Sequence, residues 1–214
     1  AYVARGVAAL AQDPEVARFA GQVLTARQLA DRLHLLGLPE LFFQLATRGE
    51  IVHHAHVPVL VVRRGDSAWP PRGVVIGEDF SDDARKAGEL AAGIGKLYDV
   101  KALLVYSHPD LPEVPPGETR STVQNLVNMR ERDRGMLQER AGALEEILGS
   151  RPETRISGGY PANVLLEASQ EVQPSLVAVG SRGLAGLIRT RLGSVSTKVV
   201  TAARGPVLVY PHVD

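Results

Sequence analysis

Ser175-Leu-Val-Ala-Val-Gly-Ser-Arg-Gly-Leu-Ala-Gly-Leu-Ile-Arg-Thr-Arg-Leu-Gly-Ser-Val-Ser196 is the stretch on which the reading of this chain turns. Its apolar run, Leu176 to Val179, has the length and β-branched content of a buried strand. It runs into Gly180-Ser-Arg-Gly183, and nine residues later Gly193-Ser-Val-Ser196 opens a helical pattern. Glycines at 180 and 183 let a backbone come close to a ligand, and the unpaired N–H groups of a helix beginning at Gly193 and Ser194 attract phosphate. Ser194 and Ser196 add hydroxyl donors, and Arg182, Arg189 and Arg191 stand close by with positive charge. The same residues equally suit a strand-to-helix turn that binds nothing.

Outward from that loop, strands and helices alternate. Gly73-Val-Val-Ile-Gly77 reads as a strand, followed by Ser81-Asp-Asp-Ala, where the serine caps a helix and both aspartates meet its positive end. Ala84, Ala87, Ala91, Ile94 and Leu97 recur at helical spacing and give that helix a face of mostly small residues. Ala102-Leu-Leu-Val-Tyr106 is the next strand, then a proline-rich loop from Ser107 to Thr119 and a charged helix from about Ser121 to Gly149. Thr154-Arg-Ile-Ser157 (strand), a helix opened by Pro161, Ser175 to Val179 (strand), the glycine loop, a helix and a last strand complete the run. Such alternation predicts an α/β protein, a doubly wound five-stranded parallel sheet with helices on both faces.

The chain also repeats itself. Ile51-Val-His-His-Ala-His-Val-Pro-Val-Leu-Val-Val62 matches Val199-Val-Thr-Ala-Ala-Arg-Gly-Pro-Val-Leu-Val-Tyr210, with Pro58 and Pro206 offset by 148 residues. That offset places an equivalent of Val74 before the sequence begins, so only the last helix and last strand of a first unit fit within it. The expected organisation is a helical segment at 1–34, a partial first unit at 35–63, a Gly/Pro linker at 64–72 and a complete unit at 73–214. At the positions matching Gly183, Gly193 and Ser194 the partial unit has Leu35, Leu45 and Ala46, so it lacks the glycine motif.

Composition excludes other classes. The 214 residues carry 24 Lys+Arg against 24 Asp+Glu and are 44% hydrophobic, so there is no global field with which to hold nucleic acid or an anionic membrane. The absence of cysteine excludes disulfides, a thiolate nucleophile and Cys-ligated metal. Apolar runs are far shorter than the roughly 20 residues needed to span a bilayer. No segment has the pattern of a signal peptide, and a cytoplasmic location is the default expectation.

On these residues the stretch 72–214 resembles the universal stress protein family, in its ATP-binding form. Gly77-Glu-Asp-Phe-Ser-Asp-Asp-Ala-Arg-Lys-Ala87 resembles the family's opening strand and turn, Gly158-Gly-Tyr-Pro161 its third strand exit, and Gly180 to Tyr210 its glycine motif and final strand. The resemblance implies adenine near the end of the first strand and phosphates on the glycine loop. It places Glu78 and Asp79 near adenine and ribose, Tyr106 and Ser107 at adenine through backbone groups, and Gly180, Arg182 and Gly183 near ribose and phosphates. Gly193, Ser194, Val195 and Ser196 are then expected to hold the phosphate chain, with Mg²⁺ or Mn²⁺ held by the phosphates. Asp79 suits a turn or capping carboxylate beside Ser81 equally well. Ser175 departs from the acidic residue that the family often has before its fourth strand.

The function so implied is that of an ATP-binding, nucleotide-dependent stress-response regulator. The alternative is an interaction module of the same fold that binds no nucleotide. No general base stands near the glycine loop, so slow ATP hydrolysis is the most catalysis expected. Members of the family commonly pair through their last strands, which makes self-association an expectation. Alternatively, Pro58 to Val62 lies antiparallel against Pro206 to Tyr210 within one chain and covers that edge.

Other motifs are weaker. Gly93-Ile-Gly-Lys96 lies inside a helical pattern and reads as helix. His53, His54 and His56 are not spaced to meet on one helix face, so no metal site is expected there. Arg130 to Arg140 mixes charges and reads as a solvated helix face. Residues 2–32 faintly resemble the C-terminal tail of short-chain dehydrogenases, but no Tyr-x-x-x-Lys pair or dinucleotide-binding turn accompanies them, so no oxidoreductase is expected.

Overall fold

The computed structural model describes residues 58–61, 70–108, 120–181 and 193–212. The expected N-terminal helices, the helix of the partial unit, His53, His54, His56, most of the linker, and Arg182, Gly183, Arg189 and Arg191 lie outside the described residues. Among the described residues six strands and four helices follow in chain order: β1 (Val59–Val61), β2 (Gly73–Glu78), α1 (Asp82–Leu97), β3 (Lys101–His108), α2 (Arg120–Leu148), β4 (Glu153–Gly158), α3 (Pro161–Glu171), β5 (Ser175–Gly180), α4 (Ser194–Ala202) and β6 (Val207–Tyr210). The strands form one sheet in the order β1-β6-β5-β2-β3-β4.

Five strands, β2 to β6, are parallel, as the alternating pattern predicts, and β1 joins β6 antiparallel. Its register pairs Val59 with Val209, Leu60 with Leu208 and Val61 with Val207. The edge of β6 is therefore covered by this chain's own strand, in the orientation expected for Pro58 to Val62.

The two faces of the sheet are covered by different helices because side chains alternate along each strand. Val74 and Ile76 of β2, Leu104 of β3 and Leu176 of β5 pack with Leu90, Ala91 and Ile94 of α1 and with Leu137, Ala141 and Leu144 of α2. Val75, Val105, Val177 and Val179 point the other way, toward Ala162, Leu165 and Ala168 of α3 and Val199 and Val200 of α4. Each fully buried side chain of this size contributes about 1.5–3 kcal/mol. That burial holds two helical layers to the central strands.

Local sequence explains the helix starts. The Ser81 hydroxyl accepts the Ala84 N–H at 3.2 Å and Asp82 and Asp83 occupy the first turn, while Pro161 begins α3. Gly93-Ile-Gly-Lys96 lies within α1. Ser107 and His108, expected to begin a loop, extend β3 instead and pair with Ser157 and Gly158 of β4.

The stretch from Arg130 to Arg140 differs from its expected role. Arg130, Glu131, Arg132 and Arg134 are exposed, but Asp133 and Leu137 are buried and Arg140 turns inward onto Glu78. Residues 133, 137, 140, 141 and 144 fall on one side of a helix of 3.6 residues per turn. The mixed charge concealed a sheet-facing stripe.

Candidate functional site

The topology brings the sequence-predicted residues to one edge of the sheet. β2 lies between β5 and β3, and the chain leaves it first toward β3 and later returns on its other side to β5. At such a switch of direction the following helices diverge and open a crevice at the carboxyl ends of the strands. Glu78, Asp79, Tyr106, Ser107 and Gly180 stand at those ends, and Gly193 to Ser196 begin α4 beside them.

The turn after β2 is shaped by its own acidic side chains. The Glu78 side chain is 1% exposed; Oε2 meets Arg140 Nε at 2.8 Å and Oε1 accepts the Phe80 N–H at 2.7 Å. Burial pushes the Glu78 carboxyl above its ordinary range, opposed by Arg140 and by the backbone N–H groups of Phe80 and Asp79. Asp79 Oδ1 accepts the Ser81 N–H at 3.0 Å, the turn role that its position beside Ser81 suggested. Between them Phe80 adopts φ 65°, a left-handed backbone that a bulky residue rarely takes.

The Phe80 ring lies 4.8 Å from that of Tyr106, centroid to centroid, and Tyr106 meets the His108 ring edge-on at 5.6 Å. Burial, followed by the carboxylates of Asp133 and Asp79, raises the Tyr106 phenol above its ordinary range and keeps it neutral at physiological pH. His108 Nε2 is 2.8 Å from Asp133 Oδ2. Ser107 donates its hydroxyl to the Gly159 carbonyl at 2.7 Å, tying the end of β3 to the turn before α3.

Across the crevice, Gly180 is a glycine for a reason of packing. A Cβ there would stand 2.7 Å from Ala84 N and 2.8 Å from the Asp83 carbonyl carbon, because the first turn of α1 crosses the end of β5. Ser181, the next residue, donates its N–H to the Tyr210 carbonyl at 2.7 Å and its hydroxyl to Asp83 Oδ2 at 3.2 Å, and its hydroxyl accepts the His212 N–H at 2.7 Å. Its carbonyl accepts the Gly193 N–H at 2.6 Å, which brings the two ends of the glycine loop together.

Gly193 is the N-cap of α4 and gives no side-chain cap. The first-turn N–H groups of Ser194, Val195 and Ser196 have no carbonyl of their own helix to bond. Ser194 is exposed, Val195 half-buried and Ser196 buried. The Ser196 hydroxyl donates to the Gly180 carbonyl at 2.6 Å, so it braces the end of β5. Lys198 places its ammonium 4.8 Å from the centre of the Tyr160 ring at the start of α3.

Of the sequence-predicted residues, nine of the eleven are thus on one edge, and Arg182 and Gly183 lie outside the described residues. Asp83, Arg140, Ser181 and His212 were not among the expected site residues. Asp83 was visible only as a helix-start acid, and nothing local marked Arg140. The edge presents the half-buried Asp79 and aromatic rings at the ends of β2 and β3 and, across from them, a helix N-terminus whose N-cap is a glycine, a distribution suited to a ligand with an organic ring at one end and anionic groups at the other. Among the described residues no group of three His, Cys, Asp or Glu is arranged to hold a metal ion, and no helix is long and apolar enough to cross a membrane.

Comparison with known proteins agrees with this architecture. The model of the universal stress protein family matches residues 72–211. A universal stress protein of Methanocaldococcus jannaschii is 29% identical over 151 residues, 70% of this chain and 86% of that protein. One from Mycobacterium tuberculosis is 33% identical over 169 residues, 74% of this chain but 52% of that protein, so the chain matches about half the length of its mycobacterial relative. The structure of the Lactobacillus plantarum universal stress protein UspA superposes with a TM-score of 0.55 at 20% identity, covering 64% of this chain and 96% of that one.

Proposed function

The chain belongs to the universal stress protein family, and from that premise we propose that it is a nucleotide-binding regulator that takes ATP at the carboxyl edge of β2, β3 and β5. The observation that carries this reading is the start of α4 at Gly193, an N-cap with no side-chain acceptor, brought beside the end of β5 by the 2.6 Å bond between Gly193 N–H and the Ser181 carbonyl. A phosphate chain there meets the N–H groups of Ser194, Val195 and Ser196 and the positive end of the helix. The adenine and ribose lie toward Asp79 and the Phe80–Tyr106 pair. A Mg²⁺ or Mn²⁺ ion is held by the phosphates themselves.

One observation favours a second reading, an interaction module without nucleotide. Glu78, Ser107 and Ser196 already direct their side chains to partners within the chain. A single experiment separates the two readings. The purified protein is denatured, the released small molecules are resolved by anion exchange, and ATP with Mg²⁺ is titrated back into the refolded chain. Bound or titratable ATP supports the first reading, and none in either measurement, from a chain shown to have refolded, overturns it and leaves the second.

For self-association we propose that β1 stands where the last strand of a second copy would lie, so that this edge is closed within one chain.

A further inference from the structure

We propose that Arg140 and Glu78 are positioning residues for the ligand-binding turn after β2: Arg140, from the middle of α2, orients the Glu78 carboxylate, which in turn holds Phe80 in its left-handed backbone. The inference rests on the nucleotide-binding reading above and adds to it a determinant of affinity that touches no ligand.

The geometry is a relay of two contacts through one carboxylate. Arg140 Nε takes Oε2 at 2.8 Å, leaving Oε1 aimed at the Phe80 N–H at 2.7 Å. Neither oxygen faces solvent, since the Glu78 side chain is 1% exposed. A non-glycine residue at φ 65° costs about 1–3 kcal/mol and persists only where its surroundings impose it. Here the Glu78 oxygen fixes the amide, and the Phe80 ring rests against Tyr106. The same reversal of the chain lets Asp79 Oδ1 reach the Ser81 N–H, and Ser81 then caps α1. The direction of Asp79, the aromatic face and the start of α1 therefore share one cause.

Arg140 is itself fixed. Its side chain is 19% exposed, and it lies on the buried stripe of α2 between Leu137 and Leu144. One turn beyond Leu137, Asp133 of the same stripe holds His108 at the end of β3. The helix thus clips the carboxyl ends of both β2 and β3, the strands on which the ring end of the ligand is expected to lie. The charges that act on the Glu78 carboxyl are Arg140 from α2 and Asp79 from its own turn.

The test uses the full chain. ATP affinity is measured by titration for the parent, Arg140→Gln, Glu78→Gln, the double variant Arg140→Gln/Glu78→Gln and an exposed control on α2, Arg132→Gln. Exchange of the Phe80 amide with deuterium is measured alongside. Arg140→Gln is expected to weaken ATP about tenfold and to speed exchange at Phe80, as loss of one charge-assisted hydrogen bond would. Glu78→Gln keeps a carbonyl acceptor for the Phe80 N–H and is expected to lose less. Relative to the double variant, Arg140→Gln is expected to show an added dependence of affinity on pH above the ordinary carboxylate range, because burial raises a carboxyl further once its cation is gone. Should Arg140→Gln fail to fold, the double variant, which carries no unpaired buried charge, is compared with Glu78→Gln. ATP binding that is equally tight in the parent and in the Arg140 variants overturns the assignment alone. A parent that binds no ATP overturns the nucleotide reading and this assignment with it.

Discussion

Leu60 lies directly opposite Leu208 in the antiparallel seam between β1 and β6, and the two residues hold the same place in the two Pro-Val-Leu-Val copies. The flanking pairs are reciprocal: Val59 faces Val209 and Val61 faces Val207, while the repeat equates Val59 with Val207 and Val61 with Val209. A local two-fold axis passes through the Leu60–Leu208 pair, the relation that an isologous interface between identical strands has.

That symmetry yields the first prediction. Leu60→Asp places an unpaired charge at a buried position and should displace β1, leaving the β6 edge open to the same strand of another molecule. Sedimentation velocity is expected to show the parent without association through this edge and the variant dimerising as concentration rises. A variant that stays monomeric at every concentration, while remaining folded, would refute the closed-edge reading.

Ser194→Pro tests the start of α4. Proline fits the first helical position, and Gly193 already has the extended backbone, φ −72° and ψ 165°, that precedes proline comfortably. The substitution removes one N–H and one exposed hydroxyl without disturbing the helix. ATP affinity should fall about tenfold or more, the worth of a hydrogen bond to a charged group, with the thermal midpoint unchanged. Unaltered affinity would move the phosphates away from this terminus.

Gly180→Ala tests packing rather than binding. The new methyl group would meet backbone atoms of Asp83 and Ala84 under 3 Å away, so α1 or β5 must shift. Urea denaturation should register a loss of about 1–3 kcal/mol, and a neutral result would mean that α1 crosses β5 less closely.

Glu78 sets a pH dependence of stability. Its folded-state pKa lies above its ordinary value of 4.5, so between the two values the folded chain binds more protons than the unfolded chain. Its contribution is therefore most favourable in acid and is lost as pH rises from about 4.5 through the raised folded value. Glu171 acts oppositely: Arg155 lowers its pKa, and its contribution is lost as pH falls. Comparing the parent with Glu78→Gln isolates the first effect. The variant should lack the decline in stability that the parent shows as pH rises across that window, and identical slopes would contradict it.

Much of this molecule was legible in order along the chain. Val74 to Ile76, Leu104 to Tyr106 and Leu176 to Val179 announced strands by composition, and Ser81 and Pro161 marked helix starts by the chemistry of their own side chains and backbones. The repeat of Pro-Val-Leu-Val, joined to the family's habit of pairing through last strands, pointed to the pairing of β1 with β6. Each of these signals is carried by neighbours within one element, or by two copies of one string, and so survives in a sequence without coordinates. The mixed charges from Arg130 to Arg140 were different. Asp133 and Arg140 look like their exposed neighbours until α2 is laid on the sheet, where 3.6 residues per turn bring them onto the stripe of Leu137 and Leu144.

By itself, then, the sequence determined the alternation of elements, the parallel strands that helical crossovers require, and the identity of the glycine motif. Only the tertiary structure decided what the site residues do with their atoms. It directed the Ser196 hydroxyl to Gly180, began α4 at a glycine that gives no side-chain cap, joined Ser181 and His212 at Asp83, and bent Phe80 into a left-handed turn beneath a carboxylate held from α2. The reason is range. Periodicity and capping act within a few residues, whereas Ser181 and Asp83 are 98 residues apart and His212 and Asp83 129 apart, and such partners meet only when burial of the sheet's two faces has brought their elements together.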